Sequence, residues 1–321
     1  VNEGIETLEI KRLGFSIPEN VGMNSKVLTK IDSIANYAIS KKMTPGIQVV
    51  VARKGKVIYQ KSFGNHTYES TQKVNNTDVY DIASLTKIVA TLPNVMQEFD
   101  QGHLTLETKL KTMLPEAKNS NKANATVLDM LTHQARFQPW IPFYKATLDS
   151  LNRPSTHFYR SEFSDEFPVH VADKLYLRKN YNDTIVKTIL DSELLPKKQY
   201  KYSDFTFILF KEYLELHNKK SLEDLAHANF FEPLGANSIM YNPLRKMNAN
   251  RIIPTENDNY FRHQIVQGYV HDMAAAMQGG ISGHAGLFAN ALDVAKVMQM
   301  FLQKGSYGGR TYISESTFNI F

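Results

Sequence analysis

The 321-residue sequence is 42% hydrophobic and 21% charged, with 37 Lys and Arg interleaved among 32 Asp and Glu for a net charge of +5. That is the composition of a globular protein with a sizeable core, and its basic clusters, Lys197-Lys198 with Lys201 and Lys219-Lys220, are short and lack the glycines of a nucleic-acid module. No apolar stretch reaches the length of a membrane span, and the absence of cysteine excludes disulfides, thiolate metal sites and cysteine nucleophiles.

At the N-terminus, Val1-Asn2-Glu3-Gly4-Ile5-Glu6 has no basic region followed by an apolar one and no initiator methionine, so the chain is expected to be a processed or excised piece of something longer. Asn24-Ser25 followed by Leu28, Ile31, Ile34, Ala35 and Ala38 predicts a capped amphipathic helix ending near Met43. A hairpin follows, Ile47 to Ala52 and Val57 to Phe63, joined by the turn Arg53-Lys54-Gly55-Lys56. The run Val79-Tyr80-Asp81-Ile82-Ala83 then leads into Ser84, after which Leu85, Ile88, Val89, Leu92, Val95, Met96 and Phe99 keep helical spacing. This helix is expected to stop near Gln101-Gly102, with Gly102 as a left-handed cap and Pro93 as a kink. A short helix is predicted from Ala125 to Thr132. The middle, from about Gln134 to Gln199, reads as loops and helices around a cleft, without clear strands. Helical patterns return at Tyr202 to Leu216 and Leu222 to Phe230. The stretch His271-Asp272-Met273 leads into the glycine-rich Gly279 to Gly286, and Asn290 caps a last helix through Leu302.

Ser84-Leu85-Thr86-Lys87 carries the chemistry in this pattern. Positions i and i+3 of a helix are neighbours, so Lys87 would lie beside Ser84 at a helix N-terminus, where backbone N–H groups favour developing negative charge. From context alone two readings stay open, a nucleophile with its amine or a capping serine beside an exposed lysine. A second Ser-x-x-Lys, Ser70 to Lys73, lies in a polar stretch without helical periodicity and reads as accidental. Tyr202-Ser203-Asp204 opens another helix, from which the tyrosine and aspartate would project into a common cleft. Trp140, beside Pro139 and Pro142 and followed by Phe143 and Tyr144, fits core packing better than a cleft wall. The histidines lack metalloprotease spacing, His271-Asp272 reads as a structural pair, and neither metal nor cofactor is expected.

Taken together these segments resemble the serine beta-lactamase and penicillin-binding-protein superfamily, in its class C beta-lactamase, D-aminopeptidase and esterase branch. The order of Ser84-x-x-Lys87 and Tyr202-Ser203-Asp204 matches that branch. So do Leu128 to His133, Phe230 to Gly235 and Gly286 to Asp293. Pro254-Thr255-Glu256, Gly268 to Asp272 and Gly283-His284-Ala285-Gly286 look like the serine hydrolase module fused behind family 3 glycosidases in Bacteroidetes. The resemblance implies an α/β (α+β) beta-lactamase/transpeptidase-like fold, an antiparallel sheet flanked by helices, in a single domain over 1–321 with a helical subregion at about 103–270. It implies acyl transfer through Ser84, with Lys87 and Tyr202 handling its proton, on beta-lactams, D-amino-acid peptides of peptidoglycan, or esters. It further implies export to the periplasm or another extracytoplasmic place, and an N-terminal glycosidase domain as partner.

Two departures bear on mechanism. The family's third motif, Lys-Thr-Gly or His-x-Gly, normally follows the Leu292 helix, whereas the sequence stops at Phe321, so the last strands of the sheet are expected to be missing. His284-Ala285-Gly286 precedes that helix and reads as an upstream turn, with His284 a secondary substrate-binding candidate. Asp204 stands where the family usually has Asn. An ionised Asp only accepts hydrogen bonds and would hold Lys87 as ammonium, which makes Tyr202 the better acceptor of the Ser84 proton. Those departures motivate an alternative, a non-catalytic module on the same fold that binds cell-wall fragments.

Overall fold

A computed structural model describes residues 12–321, so the reading of Val1 to Glu6 lies outside the described residues. The chain divides into two compact units: residues up to Asp78 with Asn229–Ile239 and Ala289–Phe321, and Val79–Ala228 with Met240–Phe288.

The first unit is built on the predicted hairpin. Strand Gly46–Arg53 pairs antiparallel with Lys56–Gly64, and Gly14–Phe15 adds in parallel on the other side of the second strand. The turn between them has positive φ at both central residues, 51° at Lys54 and 71° at Gly55. That is the turn whose twist matches the strands, and glycine takes such a φ without strain. The predicted helix is present but broken at Thr29, as Ser25–Leu28 and Lys30–Ser40. Asn24 caps it as expected, its side chain accepting from the N–H groups of Lys26 and Val27. Val21, Leu28 and Ile58 form a small core with Ile31, Val51 and Tyr59 against it. Helix Ala291–Leu302 begins at the Asn290 cap and packs on strand Gly46–Arg53, burying Val297 and Met300.

The second unit centres on helix Phe205–Asn218, whose Phe205, Leu209, Phe210 and Leu214 are fully buried. Against it packs the segment after Ser84, whose turn Lys87–Thr91 is π-helical before α-helix Leu92–Asp100. Pro93 lacks the N–H that would bond the carbonyl four residues back, and the turn before it is widened. Gly102 has φ 76° beyond this helix, as predicted. A three-stranded sheet joins Tyr80–Asp81, Leu287–Ala289 and Met240–Tyr241.

The segment read as lacking strands contains three, Tyr159–Arg160, Val169–Ala172 and Leu175–Leu177, in an antiparallel sheet. With two to four residues each, they are too short for period-two alternation to stand out. Helix Tyr181–Asp191 also lies there, burying Tyr181, Ile185, Val186, Ile189 and Leu190. Its helical spacing is present in the sequence, but its first residue follows Asn180 at φ 63°, with no side-chain cap to mark a start. Among the described residues no helix is long and apolar enough to cross a membrane.

Candidate active site

Ser84 sits at a sharp junction between strand and helix. Ala83, directly before it, has φ 46°, a left-handed conformation costing a non-glycine residue about 1–3 kcal/mol. Asp81 holds that bend, accepting from the N–H of Ala83 at 2.7 Å and of His271 at 2.7 Å. Burial raises the Asp81 carboxyl above its ordinary range despite these two bonds. The turn then closes through Leu85 N–H to Ile82 O, Thr86 N–H to Ala83 O and Lys87 N–H to Ser84 O. Among the described residues the Ser84 N–H meets no acceptor, so it is free to point at a ligand oxygen.

Lys87 is 3% exposed, and its ammonium is enclosed by three acceptors. Nζ donates to Ser84 Oγ at 3.0 Å, to Asp204 Oδ1 at 2.7 Å and to the His284 carbonyl at 3.1 Å. Its Nζ also lies 4.9 Å from the centre of the Tyr202 ring. Tyr202 Oη donates to Ser84 Oγ at 3.0 Å. The structure thus brings together Ser84, Lys87, Tyr202, Asp204 and the backbone of His284.

Local folding explains these positions. Asp204 is the N-cap residue of helix Phe205–Asn218, yet its side chain makes no cap bond and turns to Lys87 instead. Ser203 ties down the same turn, donating through Oγ to Gln138 O at 2.6 Å and accepting from Phe205 N–H. Its N–H donates to His133 Nδ1 at 3.2 Å, and the Asp204 N–H donates to Pro139 O at 3.0 Å. The Tyr202 loop is therefore stitched to residues 133–139. His133, whose ring lies 4.7 Å from that of Tyr202, is pushed below its ordinary value by burial and by Lys87, against the opposing pull of Asp204.

The glycine-rich segment is clamped to the helix after Ser84. Thr91 Oγ1 donates to Gly283 O at 2.7 Å, and Thr86 Oγ1 accepts from Leu287 N–H at 3.2 Å. A Cβ at Gly283 would stand 2.0 Å from Phe207 O, so only glycine allows this approach. The His284 ring is buried between Ser282 Oγ and Asp272 Oδ1, each 2.8 Å from a ring nitrogen.

Asp272, read from the sequence as making structural hydrogen bonds, makes them here and also lines the cavity beside Asp204. It caps helix Met273–Met277 through the Ala275 N–H and pairs with His284. Burial pushes its carboxyl up, but His284, the Ala275 N–H and Lys87 outweigh that and hold it well below the usual carboxylate range. The signal was an aspartate immediately before the helical run Met273 to Met277. Asp204, Asp272 and His284 offer donor atoms within 4.8 Å of one another and line a cavity of about 240 Å³. Trp140, Tyr144, Tyr260 and Met273 form its apolar wall. Trp140 is 55% exposed, so the core-packing expectation fails for it, whereas Phe143 and Tyr144 are buried as expected.

This fold recurs in the octameric penicillin-binding protein homologue from Pyrococcus abyssi, at TM-score 0.65 and 19% identity over 91% of this chain and 59% of that one. An N-acetylmuramyl-L-alanine amidase of Bacillus subtilis (strain 168) is 27% identical over 94% of this chain and 69% of the relative. A protein of Escherichia coli (strain K12), provisionally named a D-alanyl-D-alanine carboxypeptidase, is 25% identical over 95% of this chain and 71% of the relative. Fold, Ser-x-x-Lys geometry and likeness define a serine hydrolase of the beta-lactamase and penicillin-binding-protein type. The chain belongs to the Beta-lactamase family, which it matches over residues 35–318.

Proposed function

We propose that the chain cleaves D-amino-acid peptides of peptidoglycan through an acyl-enzyme on Ser84. The observation that carries this reading is the pair of 3.0 Å hydrogen bonds that Lys87 Nζ and Tyr202 Oη direct at Ser84 Oγ. In the reactive form the Tyr202 hydroxyl has released its own proton. Ser84 Oγ then adds to the substrate carbonyl carbon while its proton passes to Tyr202. The Lys87 ammonium, gripped by Asp204, stabilises the negative charge as it moves from tyrosine to serine to the tetrahedral oxygen, and the Ser84 N–H donates to that oxygen. Tyr202 returns the proton to the leaving amine. Water adds to the acyl-enzyme by the same route in reverse.

The names of the amidase and carboxypeptidase relatives favour a cell-wall substrate. The cavity beside Asp204 has aromatic walls that suit the planar peptide groups and small apolar side chains of a short peptide. Such a substrate lies outside the cytoplasmic membrane, which favours an extracytoplasmic protein, and a glycosidase domain ahead of this one would deliver muropeptides to it. The 2.7 Å grip of Asp204 on Lys87 favours the second reading, a module that binds such fragments without turnover. Release of D-alanine from a purified muropeptide ending in D-alanyl-D-alanine, abolished in Ser84→Ala, supports hydrolysis. Binding of that muropeptide to both proteins with no D-alanine released refutes it.

A further inference from the structure

The helix that follows Ser84 and the helix that follows Asp204 pack together, and their far ends carry a second cluster that the acyl-transfer chemistry does not use. Glu98 lies near the end of helix Leu92–Asp100, with its side chain 6% exposed. His103 follows the Gly102 turn, and its backbone N–H returns to the Glu98 carbonyl at 2.9 Å. His217 stands in the last turn of helix Phe205–Asn218.

Both imidazoles converge on one carboxylate oxygen. Glu98 Oε2 is 2.9 Å from His103 Nδ1 and 3.3 Å from His217 Nε2, and all three atoms fit within 4.8 Å. The rings are tilted by 52° with centroids 4.7 Å apart, so they are not stacked face to face. A tetrahedral metal with bonds of about 2.0–2.1 Å sets its donor atoms roughly 3.3 Å apart. The present spacing is therefore close to that of an assembled ligand set. The carboxylate is also oriented from behind, with Asn218 Nδ2 donating to Oε1 at 2.9 Å and Tyr213 Oη 3.5 Å from Oε2. Outer partners of this kind fix a ligating carboxylate. The His103 and His217 side chains are 41% and 39% exposed, which gives a cation an entry path and leaves a fourth position for water.

We propose that Glu98, His103 and His217 form a divalent metal site of the Zn²⁺ type. Two imidazole nitrogens and one carboxylate oxygen are the donors such an ion takes, and the ligating nitrogens bind in their deprotonated form, with each ring keeping its proton on the other nitrogen. The ion staples two helices whose opposite ends present Lys87 and Asp204. Helix Phe205–Asn218 has 14 residues, so the ion sits about 20 Å from Asp204 and acts on stability rather than on the reacting atoms.

The test uses tag-free chain, stripped with a chelator and titrated with Zn²⁺ alone, by calorimetry and by competition with a chromophoric chelator. One Zn²⁺ per chain is expected, with a thermal unfolding midpoint that rises as Zn²⁺ is added. His103→Gln and His217→Gln are each expected to lose both effects while keeping wild-type helicity by circular dichroism, since both rings are surface groups. Asp272→Asn is expected to bind as the wild type does, which separates this cluster from Asp204, Asp272 and His284. No binding up to millimolar Zn²⁺, or binding that survives both histidine variants, overturns the proposal.

Discussion

Asp204→Asn removes a charge but leaves an acceptor in the same place, so it isolates the electrostatic part of the grip on Lys87. The two groups are 2.7 Å apart, with side chains 4% and 22% exposed. At an effective dielectric of about 20, unit charges at that distance attract by about 6 kcal/mol. Most of this is offset in folding by the cost of taking both ions out of water. Lys87 also keeps Ser84 Oγ and the His284 carbonyl as acceptors, so the net loss of stability is about 1–3 kcal/mol. The effect on chemistry has the opposite sign. Without the carboxylate Lys87 Nζ is released toward Ser84 Oγ, and recovering only about 1.4 kcal/mol of the attraction in the transition state accelerates acylation about 10-fold. Tyr202→Phe should then cost about 100-fold or more in the wild-type background, and far less beside Asp204→Asn. The assay is the time course of Ser84 labelling by a fluorophosphonate in the four proteins of this cycle, with urea unfolding in parallel. An equal cost of Tyr202→Phe in both backgrounds refutes the division of labour between Tyr202 and Lys87.

Other perturbations test the scaffold. Ala83→Gly relieves the left-handed strain before Ser84 and should raise stability by up to about 1 kcal/mol in urea unfolding; a loss would show that the bend is unstrained. Gly283→Ala drives a Cβ to within 2.0 Å of Phe207 O and should cost more than about 3 kcal/mol, with loss of Ser84 labelling. Wild-type stability there would mean that the clamp between Gly283 and Thr91 is dispensable. His133 accepts the Ser203 N–H in its neutral form and lies below its ordinary value of 6.5 when folded. Its contribution is therefore complete above pH 6.5 and is lost as pH falls from there through the lowered value, because only the unfolded chain takes up the proton in that window. Wild type should lose stability relative to His133→Asn as pH is lowered through this range; parallel pH profiles of the two proteins contradict that linkage.

What the sequence made legible was local. The spacing of Leu85 to Phe99 marks a helix after Ser84, and Ser-x-x-Lys needs only one turn of it to bring amine and hydroxyl together. Tyr202 and Asp204 were visible because they open a strongly apolar helical run. The long-range pieces were not. Lys87 meets the carbonyl of His284, 197 residues away, and a backbone acceptor carries no side-chain signature. Asp272 enters through its contact with a buried ring, and Ala83 through a φ value that alanine does not advertise. The strands between Tyr159 and Leu177 are too short for alternation to register, and their pairing is decided by contacts made only after folding.

The central claim is that Ser84 Oγ is the acylated nucleophile. Intact-mass analysis after incubation with a fluorophosphonate and, separately, with a fluorescent penicillin tests it most directly, followed by peptide mapping. The account predicts a single adduct on the peptide that contains Ser84, absent in Ser84→Ala and slowed in Tyr202→Phe. No adduct with either reagent, or one that persists in Ser84→Ala, would contradict it.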